Sequence, residues 1–131
     1  METTVYRLAM VALGGATGAM LRYAASLGCD KIFGPGFAFG TLLVNVAGCF
    51  VLGALMHEAI VAEPRLGQHG HAALTAGLLG GLTTFSTFGY QTIRHVEAGE
   101  PGLAMANVAL NVTLGLAAAA AGMALVRYTH G

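Results

Sequence analysis

The amino-acid sequence predicts an all-α membrane protein, folded as a single domain of four transmembrane helices. Of its 131 residues, 56% are apolar and only 9% are charged, which is too apolar for an ordinary soluble domain and too short for two domains. Four apolar runs each approach the ~20 residues that cross a ~30 Å hydrocarbon core. They cover residues 6–27, 37–60, 72–96 and 103–128. Short links that contain all three prolines separate them and mark helix ends.

The first run is expected to be a membrane helix with a close-packing face. Gly14 and Gly18 have the four-residue spacing that lets two helix backbones approach each other closely. A secretory signal peptide is a rival interpretation, but it requires a net positive start, and Glu2 offsets Arg7. We therefore predict that this run is retained as the first helix.

The second run carries a polar face. Thr41, Asn45 and Gly48 share it, and Asn45 lies deep enough in the run that its amide must find partners inside the protein. Buried amides in membrane helices often join neighbouring helices. The alternative is that Asn45 donates to a ligand or orients a neighbouring ring.

The third run is interrupted by the stretch GGLTTFSTF, from Gly80 to Phe88. Backbone groups freed at membrane depth have no water to bond, so irregular backbone survives there only where it is buried in protein or lines a wet pathway. The stretch holds four hydroxyl residues: Thr83, Thr84, Ser86 and Thr87. The alternative is a continuous helix whose hydroxyls bond to its own carbonyls. The pattern favours a break that forms a functional site.

Two phenylalanines follow the paired glycines. Phe85 and Phe88 are three residues apart, so they share one helical face beside the hydroxyls of Thr84 and Thr87. Phenylalanine in a membrane helix usually faces lipid or fills a core. Aromatic rings have a positive edge, however, and edges turned toward a narrow passage attract an anion without a fixed charge. The hydroxyl context favours this second interpretation.

The fourth run carries a polar and small-residue stripe at helical spacing. Its members are Asn107, Asn111, Gly115, Ala119 and Gly122. Two asparagines one turn apart predict either a hydrogen-bonded packing seam or a polar track that replaces the waters around a moving solute.

Charged residues indicate the class of solute. All acidic residues lie at run ends or in links, whereas exporters that couple proton or cation movement generally need an interior carboxylate. Hydroxyls, amides and aromatic edges suit an anion instead. Arg22, about one turn from the end of the first helix, either extends to the interface or lends positive potential to a mouth used by anions.

Lysine and arginine are balanced across the predicted membrane. The side that holds the termini carries Arg7, Arg65 and Arg127, and the other side carries Arg22, Lys31 and Arg94. Orientation follows the Lys/Arg bias, so the equal counts make insertion in both orientations possible. The alternative is a weak bias, if a position such as Arg22 is assigned to the wrong side.

Three motifs resemble the CrcB/Fluc family of fluoride channels, which are small four-helix membrane proteins that assemble as antiparallel dual-topology homodimers. They are GGATGAMLRY (14–23), GTLLVNVAGCFVLG (40–53) and GGLTTFSTF (80–88), and the resemblance covers nearly the whole chain. It implies a passive channel, not an enzyme, that lets fluoride leave the cytoplasm and so gives fluoride resistance. It further implies an antiparallel homodimer in the lipid bilayer of the cell inner (plasma) membrane, as a multi-pass protein with no nucleic-acid partner.

The resemblance also implies roles for individual residues. Phe85 and Phe88 match the family's pore phenylalanines, Asn45 its pore asparagine and Arg22 its helix 1 arginine. Thr84 and Thr87 join them in the expected fluoride pore. Asn107 and Asn111 are also expected to line the pore. They stand where some members carry a tyrosine and then a serine, so helix 4 keeps its polarity but departs from the pattern.

A structural sodium ion is the one cofactor that the resemblance implies. In the family, the helix 3 break supplies backbone carbonyls for a sodium ion at the dimer dyad. In this chain those carbonyls fall at Gly80 and Thr83. The pair His69 and His71 is a weak metal pattern by comparison, because no third ligand stands nearby in the sequence.

Two other functions compete with the channel. A small multidrug exporter is also four-helical and often dual in topology, but it needs an interior glutamate, and the first helix has none. A non-transporting structural subunit would only pack with a partner. The polar stripe and the broken helix argue against that.

Overall fold

The computed structural model describes residues 1–62 and 65–130. Within these ranges every regular element is a helix, which confirms the all-α prediction. The α-helices are α1 (Glu2–Phe33), α2 (Phe39–Leu55), α3 (Glu58–Val61), α4 (Gly67–Ala72), α5 (Gly80–Leu82), α6 (Phe85–Glu97) and α7 (Pro101–His130). A π-helical segment, Ala73–Leu79, joins α4 to α5.

The third predicted helix is divided into two rods. The first comprises α4, the π-helical segment and α5, and we call it the 67–82 rod. The second is α6. Two extended residues, Thr83 and Thr84, separate the rods, so the predicted break is present.

The observed ends of α1 and α7 lie outside the predicted runs 6–27 and 103–128. Apolarity marks the part of a helix that suits a membrane, whereas the hydrogen-bonded helix continues through polar residues. Thus α1 includes Glu2 in its first turn and Lys31 in its last turn. Both placements are favourable, because an acid at the start and a base at the end of a helix complement its dipole.

The second helix is shorter than its predicted run, 37–60. It ends at Leu55, and the short helix α3 follows after a turn. The carbonyl of Leu55 accepts a hydrogen bond from His71 Nε2 at 3.0 Å. A side chain from the 67–82 rod therefore satisfies a carbonyl that is left free at the end of α2.

Helices α2 and α7 form one of the two long packing seams. Asn45 contacts Asn111, and Gly53 lies against the carbonyl of Ala119. Both contacts join a residue of α2 to the residue 66 positions later, so the two helices run parallel. We call this contact the α2–α7 seam.

The other seam joins α1 to the 67–82 rod, which also run parallel. A Cβ atom on Gly18 would clash with the carbonyl of Leu78, and one on Gly81 would clash with the carbonyl of Gly15. Gly14 likewise lies against the backbone of the rod. The close-packing face predicted for the first helix is therefore present, and we call this contact the α1–rod seam.

The surface of the folded chain is large and apolar. Its accessible area is 8248 Å², against about 6,500 Å² expected for a compact soluble monomer of this mass. Within the described ranges, α1 and α7 are long and apolar enough to cross a membrane, and α2 is apolar but has 17 residues. The large exposed hydrophobic surface needs lipid or protein to cover it.

Candidate functional site

The break in the third helix begins after the paired glycines that signalled it. Thr83 and Thr84 have φ/ψ angles of −82°/155° and −154°/123°. Gly80 is helical, at −64°/−36°. Gly81 is also helical, and its lack of a side chain serves the α1–rod seam.

Asn45 holds the break open. Its side-chain Oδ1 accepts a hydrogen bond from the Thr84 amide at 2.8 Å, and its Nδ2 donates to the Thr84 carbonyl at 3.2 Å. In a continuous helix the Thr84 amide would bond to the carbonyl of Gly80. The side chain of Asn45 therefore replaces a backbone partner, which satisfies polar groups that would otherwise be unpaired.

Thr84 also starts the second rod. Its Oγ1 accepts from the Thr87 amide at 3.2 Å, which is an N-cap bond. The same hydroxyl lies 3.2 Å from Thr87 Oγ1 and 3.3 Å from Ser86 Oγ. A cap of this kind is worth about 1 kcal/mol. Three hydroxyls thus gather at the start of α6, where the helix dipole favours negative charge.

The two phenylalanine rings stand beside this hydroxyl cluster. The ring centroids of Phe85 and Phe88 are 5.4 Å apart, with planes inclined at 56°, and Phe85 is 82% exposed. They border a cleft of about 330 Å³, which we call the break cleft. It brings together seven of the predicted site residues: Asn45, Gly80, Thr83, Thr84, Phe85, Phe88 and Asn111.

Arg22 and Thr87 lie in a different place. They border a second cleft of about 260 Å³ between α1, α2 and α6, together with Ser26 and Thr41. Within the described ranges, the Arg22 guanidinium and the Thr41 hydroxyl have no hydrogen-bond partner, and Thr41 is only 2% exposed. Because no acidic residue lines this cleft, its free donors suit an anion. We call it the mouth cleft.

Asn107 lines neither cleft. It is fully buried, at 0% exposure, and its Nδ2 lies 2.9 Å from Thr92 Oγ1 and 3.4 Å from the carbonyl of Phe88. Asn111 Nδ2 donates to the Oδ1 and to the backbone carbonyl of Asn107, both at 3.0 Å. Asn45 Nδ2 in turn donates to Asn111 Oδ1 at 2.9 Å. The two asparagines of the α7 stripe thus belong to a chain of hydrogen bonds that runs from Asn45 to Thr92.

Among the residues that the sequence did not single out for these sites are Thr92, Ser26 and Thr41. Thr92 ends the asparagine chain, although a threonine whose hydroxyl bonds to the carbonyl four residues earlier looks ordinary in a helix. Ser26 and Thr41 line the mouth cleft. The spacing of Ser26, one turn after Arg22, was a usable signal. Thr41 was placed on a polar face, but nothing in the sequence tied that face to Arg22.

The groups that would hold a cation at the end of α5 are the backbone carbonyls of Gly80 and Thr83. Loss of the helical bond from Thr84 leaves the Gly80 carbonyl without that donor, and both Gly80 and Thr83 border the break cleft. Helix C-termini carry partial negative charge. No cluster of three or more His, Cys, Asp or Glu side chains occurs in residues 1–62 and 65–130. A cation at this point would therefore be held by backbone oxygens.

Comparison with known proteins identifies the family of this chain. A family model described as CrcB-like protein, Camphor Resistance (CrcB), matches residues 9–123. A Cereibacter sphaeroides protein named fluoride-specific ion channel FluC is 46% identical over 120 residues, covering 92% of this chain and 94% of the relative. Proteins of the same name from Shewanella amazonensis and Clostridium novyi are 44% identical over 116 residues (88% and 92% covered) and 40% identical over 121 residues (92% and 94% covered). Because the family model matches residues 9–123 and these relatives are 40–46% identical over most of their length, the chain belongs to the CrcB-like family.

Proposed function

We propose that this protein is a passive, fluoride-selective ion channel and not an enzyme. The observation that carries the proposal is the break cleft, where two phenylalanine rings stand beside a hydroxyl cluster at the start of a helix. The relatives that share most of its length are named fluoride-specific channels. Such a channel lets fluoride leave the cytoplasm and gives the cell resistance to it.

The chemistry of hydrogen fluoride makes a passive path sufficient. The neutral acid crosses membranes, ionises in a near-neutral cytoplasm and leaves the anion trapped. Because the trapped anion is more concentrated inside, it flows out once a selective path exists. No coupled ion is needed, which agrees with the position of every acidic residue at a helix end or in a link.

The two clefts define the proposed path. An anion enters the mouth cleft, where Arg22 supplies positive potential and Ser26 and Thr41 offer hydroxyl donors. It then passes Thr87, whose hydroxyl belongs both to the mouth and to the cluster at the break. Fluoride holds its water tightly, so the path must replace that solvation with donors along its length.

The rings are proposed to serve the anion at the narrowest part. Phe85 and Phe88 present a positive ring edge, which attracts fluoride but does not hold it as a fixed charge would. The exposure of Phe85 in the single chain leaves room for a second copy to complete the passage. Asn45, Asn111 and Asn107 complete the set of residues assigned to the pore from the sequence.

The proposed functional unit is an antiparallel homodimer of four-span chains in the inner membrane. The apolar surface, larger than that of a compact monomer, supports burial in lipid and against a second copy. The even division of Lys and Arg between the two sides supports insertion in both orientations.

Dual insertion has a direct test. In a variant that lacks Cys29 and Cys49, the exposed Gln68 is replaced by cysteine and labelled on intact cells with an impermeant reagent. Partial labelling of the population is expected. Complete labelling or complete protection would rule out insertion in both orientations.

A structural sodium ion at the dyad is also proposed. The carbonyls of Gly80 and Thr83 from two copies would form an oxygen cage, which neutralises backbone groups freed by the break. Sodium is expected to stabilise the dimer without moving. If rigorous replacement of sodium by a large organic cation leaves dimer stability and fluoride flux unchanged, the site is absent.

The function itself is tested in cells. Expression of this protein in a bacterial strain that lacks its own fluoride exporters should restore growth at fluoride concentrations that stop the parent strain. Phe85→Ile and Phe88→Ile variants with equal membrane expression serve as the matched controls, and at least one of them should rescue poorly. Absence of rescue by the unmodified protein, despite normal expression, would contradict the proposal.

A further inference from the structure

We propose that Asn45, Asn111 and Asn107 are positioning residues that hold the break and the phenylalanine rings, and that they do not solvate the ion. The three side chains and Thr92 form one hydrogen-bonded chain, which we call the asparagine relay. This inference rests on the proposed channel function, because it changes the role of three residues assigned to the pore.

The amide donors of the relay are already engaged. Asn45 Nδ2 donates to the Thr84 carbonyl at 3.2 Å and to Asn111 Oδ1 at 2.9 Å. Asn111 Nδ2 donates to Asn107 at 3.0 Å. An amide nitrogen carries only two hydrogens, so Asn45 has none left to offer an ion in this arrangement.

Asn107 is out of reach of any solute. It is 0% exposed and borders neither cleft. Its Nδ2 lies 2.9 Å from Thr92 Oγ1 and 3.4 Å from the Phe88 carbonyl. A polar track for a moving ion would need its members to line a passage, and this member packs against α6 instead.

The relay fixes both ends of the segment that carries the rings. At one end, Asn45 binds the amide and the carbonyl of Thr84, the residue directly before Phe85. At the other end, the Phe88 carbonyl accepts from Thr92 Oγ1 at 2.8 Å and faces Asn107. The first turn of α6 is thereby tied to α2 and α7 at two points, and the direction of each bond limits its rotation.

If the asparagines only position the break and the rings, other groups must solvate the ion. The Thr87 hydroxyl and the free donors of the mouth cleft line the first part of the path, and the two phenylalanine rings border the break cleft. The relay then sets the angle of the rings, on which their attraction for an anion depends. Damage to the relay should alter ring orientation even where no ion is present.

The Asn111→Ser variant distinguishes a positioning role of this side chain from a role in solvating the ion. Asn111→Ser keeps a polar hydroxyl in the break cleft but is too short to join both Asn45 and Asn107. The relay predicts a loss of fluoride flux of at least tenfold, similar to that of Asn111→Leu. If the side chain solvates the ion, the serine variant should keep most of the flux that the leucine variant loses, which would overturn the proposal.

The buried end of the relay supplies a second, independent readout. The fluorine NMR signal of para-fluorophenylalanine incorporated at position 88, recorded without fluoride, reports the ring's environment. Asn107→Leu and the milder Thr92→Val are expected to shift or broaden it. Thr113→Val is the matched control, because Thr113 is exposed on α7 and bonds only within its own helix.

The outcomes are distinguishable from a failure of the channel function. If the unmodified protein conducts no fluoride but the ring signal still responds to Thr92→Val, the relay stands and the function is wrong. If Asn107→Leu does not assemble, Thr92→Val decides the matter. An unchanged ring signal and parental flux in Thr92→Val would overturn the relay.

The relay also predicts coupling between its members. The double variant Asn107→Leu/Asn111→Leu should lose no more flux than the worse single variant, because either change alone interrupts the chain. Losses that multiply would mean that the two side chains act independently, which contradicts the proposal.

Discussion

The two seams that hold the helices together both join parallel helices, but they use different chemistry. In the α1–rod seam, glycines such as Gly18 and Gly81 bring backbone directly against backbone. The α2–α7 seam also has a close glycine contact, at Gly53, but it adds a hydrogen bond between the side-chain amides of Asn45 and Asn111. Close packing fixes the distance between helices, whereas directed hydrogen bonds also fix their rotation and register. The hydrogen-bonded contacts occur beside the break, where the orientation of α6 has to be fixed.

The largest expected effect comes from the α1–rod seam. In Gly18→Val, the added side chain would meet the Leu78 carbonyl and the Leu82 amide, both of which are backbone groups that cannot move aside. The variant is expected to lose folded protein almost completely, as measured by the monodisperse yield after membrane extraction. Gly28→Val is the matched control on the same helix, because nothing lies within 4 Å of a Cβ at Gly28. Equal yields of the two variants would show that the seam is loose.

The amide contacts of the α2–α7 seam should have a smaller effect on stability and a selective effect on the break. Asn45→Leu leaves the Thr84 amide and carbonyl without their partner, and each unsatisfied group costs about 1–3 kcal/mol. The protein should still assemble but unfold more readily, as measured by thermal or denaturant unfolding in micelles. The exposed Thr113→Val again serves as control. Unchanged unfolding of Asn45→Leu would mean that the break does not depend on Asn45.

The rings should affect flux without affecting assembly. Phe85→Ile and Phe88→Ile keep bulk and apolarity but remove the aromatic quadrupole. At least one of them is expected to reduce fluoride flux tenfold or more in a normally assembled dimer. Parental flux in both variants would mean that the rings only pack and that the path runs elsewhere.

The smallest expected effect is at the mouth. Arg22→Gln removes positive potential from the mouth cleft, so at low ionic strength its fluoride flux should be a few-fold below that of the parent, and the difference should shrink as salt screens the charge in the parent. Lys31→Gln, an exposed site near the end of the same helix, should change flux less. Equal losses that do not depend on salt would argue that Arg22 acts through packing.

The comparison also separates what the sequence could predict from what it could not. The stretch GGLTTFSTF located the broken helix, because glycines, hydroxyls and aromatic residues stand together within nine residues. It placed the break within Gly80–Phe88, and the extended residues Thr83 and Thr84 lie inside that stretch. Which residues of the stretch are extended could not be predicted, because Asn45, 39 positions earlier than Thr84, supplies the bonds that replace the helical ones there.

The residue pattern of the fourth helix left two alternatives for its role, and the predicted pore included both of its asparagines. The spacing of Asn107 and Asn111 allowed both a packing seam and a polar track, because it places the two residues on one face of the helix but does not identify what that face contacts. The structure brings them to Asn45 and Thr92. Such partners depend on which helices lie side by side, and no local pattern in the chain specifies that.

The most direct test of the proposed function is anion efflux from liposomes that contain the purified protein. Fluoride-loaded and chloride-loaded liposomes from the same preparation are compared by ion-selective electrodes, with the charge balanced by a potassium ionophore. A path built from ring edges and hydroxyl donors predicts rapid fluoride efflux and a chloride signal close to that of protein-free liposomes. Absent fluoride efflux, or equal efflux of both anions, would contradict the account.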